Sequence, residues 1–200
     1  MTLGQRFVRF ATDVVVRRPA LWRLFRGPMR RQFDRLAPKW DSMRGPDSLA
    51  PLEAALDRLS EPPARVLDIG TGTGAAARLV AARSRQADVI GVDVSERMVD
   101  EARRLTDSTR VRFQAADAEQ LPFDAASFDL VTLNNMIPFF DELARVLTPD
   151  GHLVVAFTGG SGTPIYVPPE RLRSELRRRG FAEFAEVSAG RGTALLARRS

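Results

Sequence analysis

Residues 66–77 read VLDIGTGTGAAA. An apolar run closes on Asp68 and Ile69, glycine then fills every second position at Gly70, Gly72 and Gly74, and an alanine-rich stretch follows. A turn this rich in glycine, set between a strand pattern and a helix pattern, either lets a ligand lie against bare backbone or is only a tight turn. Taken alone, the stretch permits both readings. What surrounds it decides the fold.

Downstream, strand, turn and helix alternate. RVLDI (65–69) and AAARLVAAR (75–83) make the first unit, and DVIGVDV (88–94) opens the second, with Ser95 capping a helix through Glu96, Met98 and Val99. RVRFQAAD (110–117) is a third strand and FDLVTLNN (128–135) a fourth, followed by the helix FFDELARVL (139–147). HLVVAF (152–157) is a fifth strand, entered through the TPDG turn. Runs buried on both faces, each followed by a helix, point to a parallel sheet. PPERLRSELRRRG (168–180) is a further helix ending at Gly180, and residues 181–199 read as two strands around a glycine turn. The expected fold class is α/β: a doubly wound, mostly parallel seven-stranded sheet with an antiparallel C-terminal hairpin.

Upstream, prolines at 19, 28, 38, 46 and 51 separate short helical patterns, and Leu49, Leu52, Ala55, Leu56 and Leu59 share one helical face. Three or four helices are expected before the linker SEPP (60–63). Residues 1–60 are thus read as a basic helical N-terminal cap and 61–200 as the ligand-binding, catalytic domain. Charge follows the same division. Residues 1–44 carry eleven basic and three acidic side chains, net +8, which against the whole-chain +5 leaves −3 for the rest.

The chain has no cysteine and one histidine, so disulfides, thiolate nucleophiles and His-cluster metal sites are excluded, and no metal is expected. His152 begins the fifth strand, at the end away from the glycine loop, and reads as a turn residue. No apolar run approaches a membrane span, and the N-terminus lacks the apolar segment of a signal peptide. A cytoplasmic, bacterial protein is expected, the near absence of lysine beside abundant arginine suggesting a GC-rich genome.

In parallel α/β sheets ligands bind beyond the carboxyl ends of the strands. A dinucleotide fingerprint is G-x-G-x-x-G, whereas here the glycines alternate and Ala75 stands where the third glycine would be. Asp68, two residues before the first glycine, puts a carboxylate towards the same crevice, which disfavours a pyrophosphate and suits a cation. D-x-G-x-G-x-G after the first strand, Asp93 ending the second and Asp117 ending the third together resemble a class I S-adenosylmethionine-dependent methyltransferase, with its Rossmann-like fold. Residues 111–157 are especially similar to the small-molecule "type 11" branch, and the resemblance covers roughly residues 64–200.

The resemblance implies the cofactor, S-adenosylmethionine, and roles for particular residues. Gly70, Thr71 and Gly72 would admit its methionine part, with Asp68 near the ammonium; Asp93, beside Val94, would accept both ribose hydroxyls. Met98 would pack on the adenine, and Asp117 and Ala118 would meet its edge. Each residue alone also suits a structural role: Asp93 at a helix entry, Met98 in a core, Asp117 in a turn.

Methyl transfer from a sulfonium is a displacement that needs alignment and exclusion of water more than a catalytic base, so the catalytic residue is left unassigned. Asn134 or Asn135 would border the methyl, and NNMIPFF lacks the spacing of the amino-methyltransferase motif. Tyr166, in the loop GGSGTPIYVPP, is a substrate-side candidate. FDRLAPKWD (33–41) resembles a segment of ubiquinone/menaquinone C-methyltransferases, with Trp40 where those enzymes have tyrosine. The expected function is methylation of a small, apolar acceptor: a phenol, a quinone or a lipid-like metabolite. Arginines interleaved with Phe7, Phe10, Trp22 and Phe25 suit a membrane surface, a nucleic acid backbone or a solvated cap. An RNA methyltransferase and a non-catalytic cofactor-binding scaffold are the alternatives.

Overall fold

The computed structural model describes residues 2–200. Helices α1 (Leu3–Arg17), α2 (Trp22–Leu36) and α3 (Ala50–Leu56) precede the first strand, joined by single turns of 3-10 helix. Then follow β1 (Arg65–Ile69), α4 (Ala75–Arg83), β2 (Asp88–Asp93), α5 (Glu96–Arg104), β3 (Val111–Ala115) and β4 (Phe128–Asn134). The chain closes with α6 (Phe140–Val146), β5 (Leu147–Phe157), α7 (Pro169–Arg177), β6 (Phe181–Ala189) and β7 (Gly192–Arg199).

The strands form one seven-stranded sheet in the order β3-β2-β1-β4-β5-β7-β6. The first five run parallel, and β7 is antiparallel to both β5 and β6. From β1 the chain builds outward through β2 and β3 on one side, then returns to place β4 and β5 on the other. The connections after β1 and β4 therefore diverge to opposite faces, and a crevice opens at the carboxyl ends of those two strands.

Alternation along the strands feeds two cores. Val66, Leu130, Val154 and Leu196 face α3, α4 and α5, whereas Leu67, Val131, Leu153 and Ala197 face α6, α7 and the inner side of α1. Both faces are covered, which is why the parallel strands are apolar throughout.

Two boundaries differ from the sequence reading. The fifth strand runs from Leu147, because Leu147 pairs with Phe128 and the TPDG segment is accommodated as an irregularity, with Asp150 at φ 64°. The apolar face spanning Leu49–Leu59 is helical only over Ala50–Leu56 and continues as turns.

Candidate cofactor and acceptor site

Gly70, Gly72 and Gly74 lie at φ 71°, 53° and 82°, all in the left-handed region. This accounts for their spacing: the loop alternates between a conformation only glycine adopts cheaply and an ordinary one. The Gly70 and Thr71 amides both donate to the Val92 carbonyl at 2.9 Å, so the loop is tied to the end of β2.

Beneath it, Asp68 is 1% exposed and does not line the crevice. Its carboxylate accepts from the Thr71 hydroxyl at 2.6 Å, the Thr132 hydroxyl at 2.8 Å and the Ala77 amide. Asp68 thus lies under the start of α4, near the Ala77 amide, where a negative charge is favoured. Burial pushes its carboxyl upward, and those three donors oppose the shift. The ammonium contact expected from the sequence would share the carboxylate with this internal set.

Asp93 faces the crevice from the end of β2. One carboxylate oxygen accepts from the Gly72 amide at 3.0 Å and the other from the Ser95 amide at 2.9 Å. Each oxygen keeps lone-pair capacity for a further donor. Burial raises its carboxyl to about 6; the two amides lower it, and the charges of Asp68 and Asp34 add to the rise. Ser95 caps α5, accepting from the Met98 amide at 3.2 Å, and Val94 and Met98 line the crevice beside it.

Asn134 and Asn135 end β4. Asn135, at φ 56°, is locked to the end of β5: its amide nitrogen donates to the Thr158 hydroxyl, and its oxygen accepts from the Thr158 amide at 3.0 Å. Asn134 is different. Its side-chain oxygen is buried and has no partner among the described residues, although the residue lines the crevice. A buried acceptor left unsatisfied costs about 1–3 kcal/mol, so this atom is suited to a donor brought by a ligand.

The roof comes from the N-terminal helices, held by four contacts to loops after four different strands. Thr73, after β1, donates to Asp41; Ser95, after β2, donates to Asp34 at 2.5 Å. Asp117, after β3, accepts from the Trp22 indole at 2.7 Å and from Arg26 at 2.8 Å. Arg9 donates to the Ser161 and Thr163 carbonyls, after β5, at 2.8 Å each. Trp40 packs edge-on against Phe33, and its indole nitrogen lies 3.2 Å from where a Cβ on Gly72 would stand. The two aspartates of FDRLAPKWD are therefore the pins of the roof, and its Trp40 a wall over the glycine loop.

Two of the expected site residues have protein partners in the fold. Asp117 does not line the crevice, because Trp22 and Arg26 engage both of its oxygens; Ala116 and Ala118 supply the wall there. Tyr166 also lies outside it, packed at 5.1 Å against Phe157, while Ile165 before it points in. His152 pairs between Leu130 and Arg198 along the sheet and is not among the residues lining the cavity. Arg31, one of the arginines of the basic N-terminal stretch, lines the cavity together with Arg35, Arg44 and Arg191, which were not singled out from the sequence; their signal, charge at scattered positions, is legible only once the chain is folded.

Roof and strand ends enclose one cavity of about 1550 Å³. Ligand sites commonly measure about 300–1,000 Å³, so this one has room for a cofactor and an acceptor together. The Asp93 carboxylate and the unsatisfied Asn134 oxygen are acceptors open to a ligand's donors, beside a glycine loop against which Met136 and Trp40 stand.

Residues 66–151 match the family described as a methyltransferase domain. A demethylmenaquinone methyltransferase of Deinococcus radiodurans is 36% identical over 203 residues, covering 76% of this chain and 84% of that protein. A malonyl-[acyl-carrier protein] O-methyltransferase of a Methylovorus species is 35% identical over 147 residues, covering 66% of this chain but only 50% of that protein. Among solved structures, an S-adenosylmethionine-dependent methyltransferase from Aquifex aeolicus has the same fold, with a TM-score of 0.67 at 19% identity over 82% of this chain and 98% of that one. The chain belongs to the class I S-adenosylmethionine-dependent methyltransferases. It is an enzyme, and S-adenosylmethionine is its cofactor. The RNA and scaffold alternatives find no support in these likenesses.

Proposed function

We propose that this methyltransferase acts on a quinone-like aromatic acceptor carrying an apolar body, drawn from lipid-rich surroundings. The observation that carries this reading is the composition of the cavity: beyond the glycine loop it is walled by Phe7, Met29, Phe33, Leu36, Trp40 and Ile165. The likeness to a demethylmenaquinone methyltransferase over most of that protein's length supports the same acceptor class.

In this reading residues 1–60 are the cap and 61–200 the catalytic domain. When bound, S-adenosylmethionine supplies an electrophilic methyl on a sulfonium. Gly70, Thr71 and Gly72 give backbone room to its amino-acid part, Asp93 holds the ribose diol, and Val94, Met98 and Ala118 clasp the adenine. The Asn134 oxygen accepts from the ammonium or from an acceptor hydroxyl. Trp40 and the immobilised Asn135 border the acceptor and keep it in line with the methyl, and the roof excludes water. Cytoplasmic placement with access to a membrane surface fits this acceptor; among the described residues no helix is long and apolar enough to cross a membrane.

A second reading, a carboxylate acceptor, is favoured by one observation. Arg44 and Arg191 line the cavity, and the buried Nε of Arg44 has, among the described residues, no hydrogen-bond partner and only the Asp41 carboxylate at 3.8 Å. One assay separates the two. The protein is incubated with S-adenosylmethionine and, in parallel, a short-tailed demethylmenaquinone in reduced form and a fatty-acyl carboxylate, and products are read by mass spectrometry. A single carbon-bound methyl on the quinol supports the first reading; a methyl ester, or no transfer to the quinol, overturns it.

A further inference from the structure

Helix α1 has two apolar stripes. Val8, Ala11, Thr12, Val15 and Val16 are buried against the sheet, as a surface helix requires. Leu3, Phe7, Phe10 and Val14, at i, i+4, i+7 and i+11, form a second stripe, of which Leu3 is 83% exposed and Phe10 60%, while Phe7 and Val14 are half-buried, Phe7 against the core. Phe25 of α2 meets Phe7 and Phe10 at 6.2 and 6.0 Å between ring centroids and extends the stripe to Leu24, 63% exposed. An uncovered apolar surface spanning two helices marks an interaction site.

Its rim is cationic. Arg6 and Arg17 flank the stripe on α1, and Arg31 and Arg35 flank it on α2. Arg26 and Arg44 have carboxylate partners, whereas among the described residues Arg6, Arg17, Arg31 and Arg35 have none within 4.0 Å. Asp13 is the single acid on α1, and Asp34 on α2 is occupied by Ser95. The patch also reaches the cavity: Phe7 belongs to both, and Pro28, Arg31 and Arg35 line the cavity from the adjoining side of α2.

We propose that the outer face of α1 and α2 docks on an anionic lipid bilayer, with Phe10 and Leu24 entering the interface and the arginines meeting headgroup phosphates. This rests on the reading of the acceptor as lipid-like and deepens it, since docking brings the cavity mouth to the surface that holds such a molecule. Charge selects the occupant. A second copy would set a net +8 segment against its own kind. Nucleic acid would need the cations central, whereas here Leu and Phe side chains hold the centre and the cations the rim, which is the pattern of an interfacial helix.

The test is co-sedimentation of the full chain with vesicles of phosphatidylcholine alone or mixed with phosphatidylglycerol. Two paired variants accompany it: Phe10→Ser with Leu24→Ser, and Arg6→Gln with Arg17→Gln. These four residues do not line the cavity. Binding to the anionic vesicles only is expected, weakened about tenfold or more by the serine pair and about fivefold per arginine removed. Titration with S-adenosylhomocysteine on the same samples should be unchanged, which shows the variants folded. Failure to sediment with anionic vesicles, or sedimentation unchanged in the serine pair, overturns the proposal. So does a solution dimer that the serine pair makes monomeric, or capture of an RNA oligonucleotide weakened only by the arginine pair. Vesicle binding without any binding of S-adenosylhomocysteine would leave docking standing and sink the functional reading instead.

Discussion

Asp93 concentrates the chemistry of the site in one carboxylate, and its proton should govern cofactor binding. Burial lifts it from 3.8 to about 6. The folded chain therefore holds this proton more tightly than the unfolded one, so Asp93's contribution to stability is present at low pH and is lost as pH rises through about 4 to 6. On the proposed role of Asp93, binding has the opposite sign, because ribose hydroxyls would donate to the ionised form. S-adenosylhomocysteine should bind about tenfold more weakly at about pH 5 than at about pH 7. Asp93→Asn should bind weakly at both; a pH slope persisting in that variant would show another group titrating. Gly74 is a second decisive residue. A methyl there meets a left-handed backbone at φ 82° and the Phe113 ring at 2.6 Å. Left-handed strain and overpacking each cost about 1–2 kcal/mol, so Gly74→Ala should lower stability by about 2–4 kcal/mol in urea unfolding. A loss below 1 kcal/mol would mean that the loop re-forms around the methyl.

At the scale of elements, polar pins add to the core that the N-terminal helices share with the sheet. Ser95 takes part twice, capping α5 and donating to Asp34 of α2. Ser95→Ala should cost about 1–2 kcal/mol, the loss of a cap and of a charge-assisted hydrogen bond. A double-mutant cycle with Asp34→Asn separates the two contributions: coupling of about 0.5 kcal/mol or more assigns the pin, and additive losses assign the cap alone. None of these pins was visible beforehand, since Asp34 and Ser95 are 61 positions apart. The helices and strands themselves were legible, because period and caps are local. The extension of β5 back to Leu147 was not, because it depends on pairing with Phe128.

For the molecule as a whole, roof, glycine loop and strand ends meet at one cavity, so a ligand there should stabilise all three. At a hundred times its dissociation constant, S-adenosylhomocysteine contributes about 2.7 kcal/mol to the folded state. For a domain of this size that is a rise in Tm of about 5–10 °C. Differential scanning fluorimetry should show it, with NAD causing none. A shift from NAD and none from S-adenosylhomocysteine would contradict the cofactor assignment.

The sequence by itself determined the sheet, the glycine loop and the family. Alternating glycines, apolar runs and an acid at a strand end are short-range patterns whose physics is complete within a few residues. Only the tertiary structure decided which carboxylates remain for a ligand. Asp68, Asp93 and Asp117 look alike in the sequence, each an acid at a strand's carboxyl end. In the fold Asp68 lies under the start of α4, Asp117 is taken by Trp22 and Arg26 from a helix about ninety residues away, and Asp93 alone faces the cavity. A carboxylate's partners are chosen by what the fold brings within 3 Å, and residue type and spacing do not carry that information.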